Sequence, residues 1–195
     1  MAYRSPGDLM PTSILFVEDD ALVRNAFTLL LRAEGYEVVA VASAEAAFAA
    51  AASRAYALVL LDVGLPGLDG IECALRLRAM KVQVPIVFLT AFGGTEFVDR
   101  ALRCSPHAYL VKPISGEQLI PMVRSALAAA EAERRQQDRM QGALDDSRAI
   151  SAAVGVLMER HGWSESEAFG ALRLMARSES RPVVEVAREV VCRQR

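Results

Sequence analysis

The sequence contains little lysine and no excess of basic charge. Lys81 and Lys112 are its only lysines, and its 22 basic residues are outweighed by 24 acidic ones, which gives a net charge of −2. This balance argues against wholesale non-specific binding to nucleic acid and leaves room only for a local basic face.

Cysteines and long apolar runs are also scarce. Cys73, Cys104 and Cys192 are odd in number, far apart and without CxxC spacing, which argues against disulfides and structural zinc. No apolar run approaches the ~18 residues that cross a bilayer, and Met1–Met10 lacks the apolar centre of a signal peptide. We therefore expect a cytoplasmic protein that makes no membrane contact, with residues 1–12 as a flexible tail.

One stretch organises the rest of the chain. Leu58–Leu61 is continuously apolar and ends in Asp62, with Gly64 and Pro66 just beyond. This pattern predicts a strand that is buried on both faces and opens into a loop. Asp62 then lies at the carboxyl edge of a sheet, where ligands bind in open parallel sheets. The alternative is that Asp62 only caps the following turn.

Strands and helices alternate through five rounds. Further strands are predicted at Ile14–Val17, Tyr36–Val41, Pro85–Leu89 and Ala108–Val111. Helical spacing is present at Leu22–Ala33, Ser43–Ala52, Ile71–Arg78 and Phe97–Leu102. This alternation predicts an α/β fold with a doubly wound parallel sheet of five strands, covered by helices on both faces.

Polar residues end four of these strands. Asp19 and Asp20 follow the first, Asp62 the third, Thr90 the fourth and Lys112 the fifth. Three carboxylates at one edge require a cation, and hard oxygen ligands suit Mg²⁺. A hydroxyl and an ammonium beside them can bind phosphoryl oxygens, so the set favours phosphoryl transfer to Asp62.

With Leu65-Pro66, Asp69-Gly70, Thr90-Ala91 and Lys112-Pro113, these acids make residues 13–127 resemble the receiver domain of two-component response regulators. The resemblance implies a flavodoxin-like sheet. It also implies a phosphoacceptor regulator instead of a conventional enzyme, with at most self-catalysed phosphoryl transfer and autodephosphorylation.

The same resemblance assigns roles to individual residues. A sensor histidine kinase phosphorylates Asp62. Mg²⁺ is bound by Asp20, Asp62 and the Gly64 carbonyl, with Asp19 acting largely through water. Thr90 and Lys112 bind the phosphoryl oxygens, and Tyr109 rotates inward as Thr90 moves, which changes the surface.

A helix should begin at Ser115 and Gln118, which have capping-box spacing. Residues 128–144 continue it as a solvated linker helix, in which only Met140 and Leu144 resume an apolar spacing. A homodimer through this linker is possible, and Gly142 offers a break in the helix.

Residues 145–195 contain no strand pattern and predict a small domain of three amphipathic helices. The residues expected to face inward are Ile150, Ala153, Val154, Leu157 and Met158 in the first helix, Ala168, Phe169, Leu172, Met175 and Ala176 in the second, and Val183, Val184, Ala187, Val190 and Val191 in the third. Gly155 is expected to permit a close helix crossing.

The segments Ala153–Met158, Ala168-Phe169, Leu172-Arg173 and Val186-Ala187 resemble the ANTAR domain, the RNA-binding output module of antitermination regulators. The resemblance implies binding to RNA hairpins that prevents terminator formation. Where the family commonly has lysine this chain has Val154. Residues 145–195 contain eight acids and eight arginines, and so have no net basic charge. RNA binding then depends on an arginine face, and the candidates are Arg148, Arg160, Arg173 and Arg177.

Other functions remain open at this point. The C-terminal domain could act through protein contacts alone, because Val154 and the balanced charge weaken the case for RNA. DNA binding is disfavoured, since no helix-turn-helix pattern is present. An aspartyl-nucleophile phosphohydrolase is disfavoured because Gly64 stands where such enzymes place a second aspartate.

Overall fold

The computed structural model describes residues 12–91, 100 and 103–193. The chain divides into two compact units, Met1–Glu131 and Ala132–Arg195. The first contains a parallel sheet with the strand order β2-β1-β3-β4-β5. The strands are β1 (Ser13–Val17), β2 (Glu37–Val41), β3 (Leu58–Asp62), β4 (Ile86–Thr90) and β5 (Ala108–Val111).

Helices follow the first, second, third and fifth strands, as predicted. They are α1 (Ala21–Ala33), α2 (Ala44–Ser53), α3 (Gly70–Ala79) and α4, which begins at Gly116 and ends at His161. The Phe97–Leu102 helix was predicted from apolar residues that lie outside the described part of the chain. Residues 1–11 of the predicted tail lie outside it as well.

The sheet is buried on both faces, because successive strand residues point to opposite sides. In β1, Leu15 and Val17 belong to one apolar core, and Ile14 and Phe16 to another. The first core contains residues of α2 and α3. The second contains residues of α1 and of the first turns of α4. The prediction of a doubly wound α/β sheet is confirmed.

The helix α4 is longer than the sequence pattern indicated. Its start agrees with the Ser115/Gln118 prediction, since the Ser115 N–H donates to Gln118 Oε1 at 3.0 Å. The helix then continues through Gly142, so the suggested break there is wrong. A glycine inside a helix costs only about 1 kcal/mol relative to alanine. No described helix combines the length and apolar character needed to cross a membrane.

In the second unit, the end of α4 packs with α5 (Glu165–Ser178) and α6 (Val183–Cys192) around a small apolar core. A capping box at Ser164 and Glu167 opens α5, as its spacing predicted. Two inward assignments are wrong, because Phe169 is 40% exposed and Met175 36% exposed. The buried residues of α5 are Ala168, Leu172 and Ala176, so its buried face is narrower than predicted.

Candidate functional site

The carboxyl ends of β1, β3, β4 and β5 meet at one edge of the sheet. Val17 pairs with Leu61, Asp62 with Leu89, and Thr90 with Val111. This register brings the residues that end these strands together. The strands are held by cores on both faces, so the side chains at this edge are delivered by a rigid scaffold.

A lysine bridges two buried carboxylates at this edge. Lys112 Nζ lies 2.9 and 3.1 Å from the two carboxylate oxygens of Glu18. It lies 3.0 Å from Oδ2 of Asp62. Glu18 is fully buried and Asp62 is 4% exposed. The ammonium group therefore compensates two negative charges that have little contact with water.

The pKa values of this group follow from its burial and charge. Burial raises the pKa of Glu18; the hydrogen bond from Lys112 opposes that rise, and the Asp62 charge adds to it. Burial disfavours the charged form of Lys112, but the hydrogen bonds and charges of Glu18 and Asp62 outweigh it and raise the pKa of Lys112. Lys112 therefore remains a cation at neutral pH.

Three acids are close enough to share a cation. Glu18, Asp19 and Asp62 each offer a carboxylate oxygen, and these oxygens lie within 4.8 Å of one another. Ligands on opposite sides of a Mg²⁺ ion are about 4.2 Å apart, so small side-chain rotations suffice to bind one. Asp19 is exposed, which leaves a solvent path for the water ligands that Mg²⁺ retains. The donor set fits the ion.

Asp20 does not belong to that group of three. Its Oδ1 accepts hydrogen bonds from the N–H groups of Leu22 at 2.7 Å and Val23 at 3.1 Å, which caps α1. The hydrogen bonds from Val23 and Leu22 lower the pKa of Asp20. The assignment of Asp20 to the metal site is therefore corrected, and Glu18 is the residue that the sequence analysis missed. An acid directly before the first helical residue is the signal of a helix cap.

Glycines allow the backbone to pass close to Asp62. The Gly64 N–H donates to Asp62 Oδ1 at 3.1 Å, and metal binding by the Gly64 carbonyl stays a prediction. A Cβ on Gly70 would lie 2.1 Å from the carbonyl oxygen of Asp62, so no side chain fits at that position. The glycine of the Asp69-Gly70 pair is thus required because a larger residue would clash with the backbone of Asp62.

Thr90 and Tyr109, the two residues predicted to act as a switch, differ in exposure. Thr90 is fully buried at the end of β4, whereas Tyr109 on β5 is 48% exposed. Tyr109 pairs with Phe88, two residues before Thr90 on the neighbouring strand. An inward rotation of Tyr109 stays a prediction.

Arg24 is a second residue that sequence reasoning missed. Its Nη1 donates to the carbonyl oxygens of Glu18 at 2.7 Å and Asp19 at 2.9 Å. One guanidinium on α1 thus fixes the backbone of both acids that end β1. A basic residue four positions after the cap Asp20 was the available signal.

Comparison with known proteins places this geometry in a family. Residues 14–124 match the response regulator receiver domain, and residues 138–191 match the ANTAR domain. The chain is 35% identical over 167 residues to the transcriptional regulatory protein PdtaR of Mycobacterium tuberculosis, covering 82% of this chain and 80% of PdtaR. The chain belongs to the response regulators with a receiver and an ANTAR domain.

Further similarities concern the receiver domain. The response regulator protein FleR of Pseudomonas aeruginosa is 38% identical over 114 residues, which cover 58% of this chain and 24% of FleR. A CheY-like receiver structure from Methanospirillum hungatei superimposes with a TM-score of 0.61 at 26% identity, covering 64% of this chain and 99% of that one. The structural similarity agrees with the fold of the five-stranded sheet.

The arginines of the ANTAR domain differ in whether their side chains form ion pairs. Arg181 donates to Glu179 at 3.0 Å and to Glu189 at 2.6 Å, and it also pairs with Glu185. Arg188 pairs with Asp146 at 2.8 Å. These two arginines thus form ion pairs with four of the eight acids of the domain.

The four arginines predicted to face RNA are less engaged, and all are exposed. Among the described residues, the guanidinium groups of Arg160 and Arg177 make no ion pair or hydrogen bond, and Arg173 lies over the ring of Phe169 at 5.9 Å. Arg148 pairs with Asp145 at 3.7 Å. Arg173 and Arg177 share one face of α5, whereas Arg148 and Arg160 on α4 are about 120° apart at about 100° per residue. The four do not form a single stripe.

Proposed function

We propose that this response regulator accepts a phosphoryl group on Asp62 and, in that state, regulates transcription termination by binding RNA through its ANTAR domain. It acts in the cytoplasm with a sensor histidine kinase as the phosphodonor. We assign residues 13–127 to the receiver, 128–144 to the linker and 145–195 to the RNA-binding domain. Lys112 between Glu18 and Asp62 is the observation that carries the phosphoacceptor half.

The residues at the sheet edge suit an in-line phosphoryl transfer. A carboxylate oxygen of Asp62 bonds to phosphorus as the P–N bond of the donor phosphohistidine breaks, and the imidazole keeps the electron pair and takes up a proton. Lys112 and the Thr90 hydroxyl bind the phosphoryl oxygens. Glu18, Asp19, Asp62 and the Gly64 carbonyl would hold Mg²⁺, which would supply further neutralisation of charge.

The effect of phosphorylation would then reach the protein surface through movements of Thr90 and Tyr109. The phosphoryl oxygens draw the Thr90 hydroxyl toward Asp62, and Tyr109 occupies the space that Thr90 leaves. The 48% exposure of Tyr109 supports this step, because the side chain has an exposed position from which it can move. A local change of charge becomes a change of the β5 surface.

Exposed leucines on helix α1 support the binding of a protein partner next to Asp62. It begins beside the acids, at Asp20, and it exposes Leu22 by 82% and Leu29 by 69%. Residues seven apart lie on the same helix face, so the two leucines form an apolar stripe suited to a helix of the kinase. Burial of both would contribute a few kcal/mol to docking.

The presence of arginines outside the main ion pairs of the domain supports the proposed binding of RNA. The domain has no net basicity, but four of its eight acids form ion pairs with Arg181 or Arg188, and Glu167 is held in the capping box at Ser164. Uncommitted guanidinium groups remain available to phosphates, which supply most of the affinity for RNA. The loss of a lysine at position 154 has limited weight, because Val154 is 7% exposed and packs in the bundle core.

The linker supports a homodimer. Met140 is 61% exposed and Leu144 is 53% exposed, and they lie one helical turn apart. Pairing of two α4 helices through these residues would bury both. Light scattering on the full chain tests this part independently of RNA, and a monomer at all concentrations would contradict it.

The proposal is tested in two steps on the full chain. Incubation with acetyl phosphate and Mg²⁺ should add one phosphoryl group to the wild type and none to Asp62→Asn, as measured by intact mass. The phosphorylated protein should then enrich RNA from a pool of hairpins with randomised loops. Modification of Asp62→Asn to the same extent would contradict the assigned acceptor, and no enrichment of any hairpin would contradict the RNA output.

A further inference from the structure

A shallow groove lies between α4 and α5 within the ANTAR domain. It has a volume of about 280 Å³, and its lining includes Ser151, Gly155, Glu165 and Phe169. This is close to the lower end of ordinary ligand sites, about 300–1,000 Å³. It has room for one flat ring system.

Gly155 keeps this groove open. A Cβ at this position would meet no atom within 4 Å, so the glycine does not serve a close crossing of helices inside the domain. A glycine in a helix costs about 1 kcal/mol relative to alanine. The missing side chain therefore leaves space that the fold itself does not fill.

The wall of the groove carries an exposed aromatic ring. Phe169 is 40% exposed although its neighbours on α5 supply the bundle core. The Arg173 guanidinium lies over the ring at 5.9 Å from its centre. Glu165, Phe169 and Arg173 are spaced by four residues and share one helix face. An acceptor, a stacking surface and a cation thus follow one another along the groove.

We propose that this groove holds one unpaired RNA base that carries an amino group, namely adenine, cytosine or guanine. The base stacks on Phe169, its amino group donates to the Glu165 carboxylate, and Arg173 binds an adjacent phosphate. Uracil fits less well because it has no exocyclic amino group, and the two carbonyl oxygens beside its single N3–H donor are repelled by a carboxylate. This inference rests on the RNA binding proposed above and adds where and how a base is read.

The chain offers a matched pair of glycines for the test. Gly155→Leu fills the groove, whereas Gly142→Leu makes the same change at an exposed position of the same helix, also with nothing within 4 Å. Both variants are compared as full chains, using a hairpin selected by the wild type from the randomised pool. Far-UV circular dichroism and Trp163 fluorescence verify that each variant folds.

Gly155→Leu should weaken binding roughly 5- to 150-fold, the range that loss of one stacked base gives. Phe169→Ala should cause a similar loss, and Gly142→Leu should bind within about twofold of the wild type. Replacing the recognised loop base with uridine should weaken wild-type binding at least about tenfold and leave Gly155→Leu unaffected, because the variant no longer holds that base.

Two outcomes overturn the groove assignment alone. One is a wild type that binds the hairpin while Gly155→Leu binds it equally well. The other is a change of oligomeric state in Gly155→Leu, measured by light scattering, which would assign the groove to a second copy of the chain. A wild type that binds no hairpin overturns the proposed function as well, and is thereby distinguished from both.

Discussion

Replacement of Lys112 by methionine tests the electrostatics of the proposed phosphoacceptor site. The change keeps most of the side-chain volume but removes the ammonium group from Glu18 and Asp62, which are 0% and 4% exposed. Removing one partner of a buried ion pair typically costs about 3–5 kcal/mol. Because the Lys112 side chain is 27% exposed, we expect the lower end, about 3 kcal/mol, in the absence of Mg²⁺.

The chain supplies its own control, because Lys81 is the only other lysine and is exposed. Lys81→Met should change the free energy of unfolding by less than about 0.5 kcal/mol. Both values come from urea unfolding followed by far-UV circular dichroism. A loss below about 1 kcal/mol for Lys112→Met would refute the view that the ammonium compensates two buried charges.

The pH dependence of this difference has a defined sign. Loss of Lys112 removes the interactions that lower the pKa of Glu18, so burial and Asp62 raise it further above its unfolded value. A carboxyl group with a raised folded pKa loses stability as pH rises through that pKa. The deficit of Lys112→Met should therefore be largest at neutral pH and shrink as pH falls toward 5. Mg²⁺ should shrink it too.

Three further predictions concern single side chains. Thr28→Val should raise the free energy of unfolding by about 1 kcal/mol in urea titrations, because the buried Thr28 hydroxyl has no hydrogen-bond partner among the described residues, and a loss would contradict this. Iodoacetamide should label the exposed Cys192 in the folded protein and spare Cys73, whose pKa burial raises to about 12; mass spectrometry showing labelled Cys73 would contradict the fold. Arg24→Met should weaken Mg²⁺ binding about tenfold in calorimetric titration, since it frees the backbone carbonyls of Glu18 and Asp19, the two acids proposed to bind the ion. Arg32→Met, which frees only the Val38 carbonyl, should leave Mg²⁺ affinity unchanged.

The sheet was predictable from sequence because its strands are buried on both faces. Leu58–Leu61 reads as a continuous apolar run, and all four residues are fully buried. Such a run has few alternatives once it is bounded by Gly and Pro. The convergence of Asp62, Thr90 and Lys112 followed from the parallel order alone.

The assignment of the acids beside β1 was less predictable. Glu18, Asp19 and Asp20 are three consecutive acids, and the pattern of apolar residues does not say which of them points to Asp62. Hydrogen bonding decides it: the Asp20 carboxylate satisfies two N–H groups at the start of α1. The helix start is visible in the sequence, so a count back from it would have identified the cap.

The bundle shows a different limit. Helical spacing places Phe169 and Met175 on the same broad face as Leu172, but packing against the end of α4 and against α6 buries only a narrow stripe of α5. Small residues such as Ala168 and Ala176 pack at the centre, and the larger side chains lie at its border. Which apolar residues remain accessible depends on crossing geometry that periodicity does not encode.

The central claim is that phosphorylation of Asp62 controls RNA binding. The most direct measurement is the affinity of the full chain for its selected hairpin, by fluorescence anisotropy at fixed salt, before and after phosphorylation with acetyl phosphate and Mg²⁺. We predict that phosphorylation increases the affinity of the wild type and leaves Asp62→Asn unchanged. Equal affinity of the wild type in both states, or an equal gain in the variant, would contradict the account.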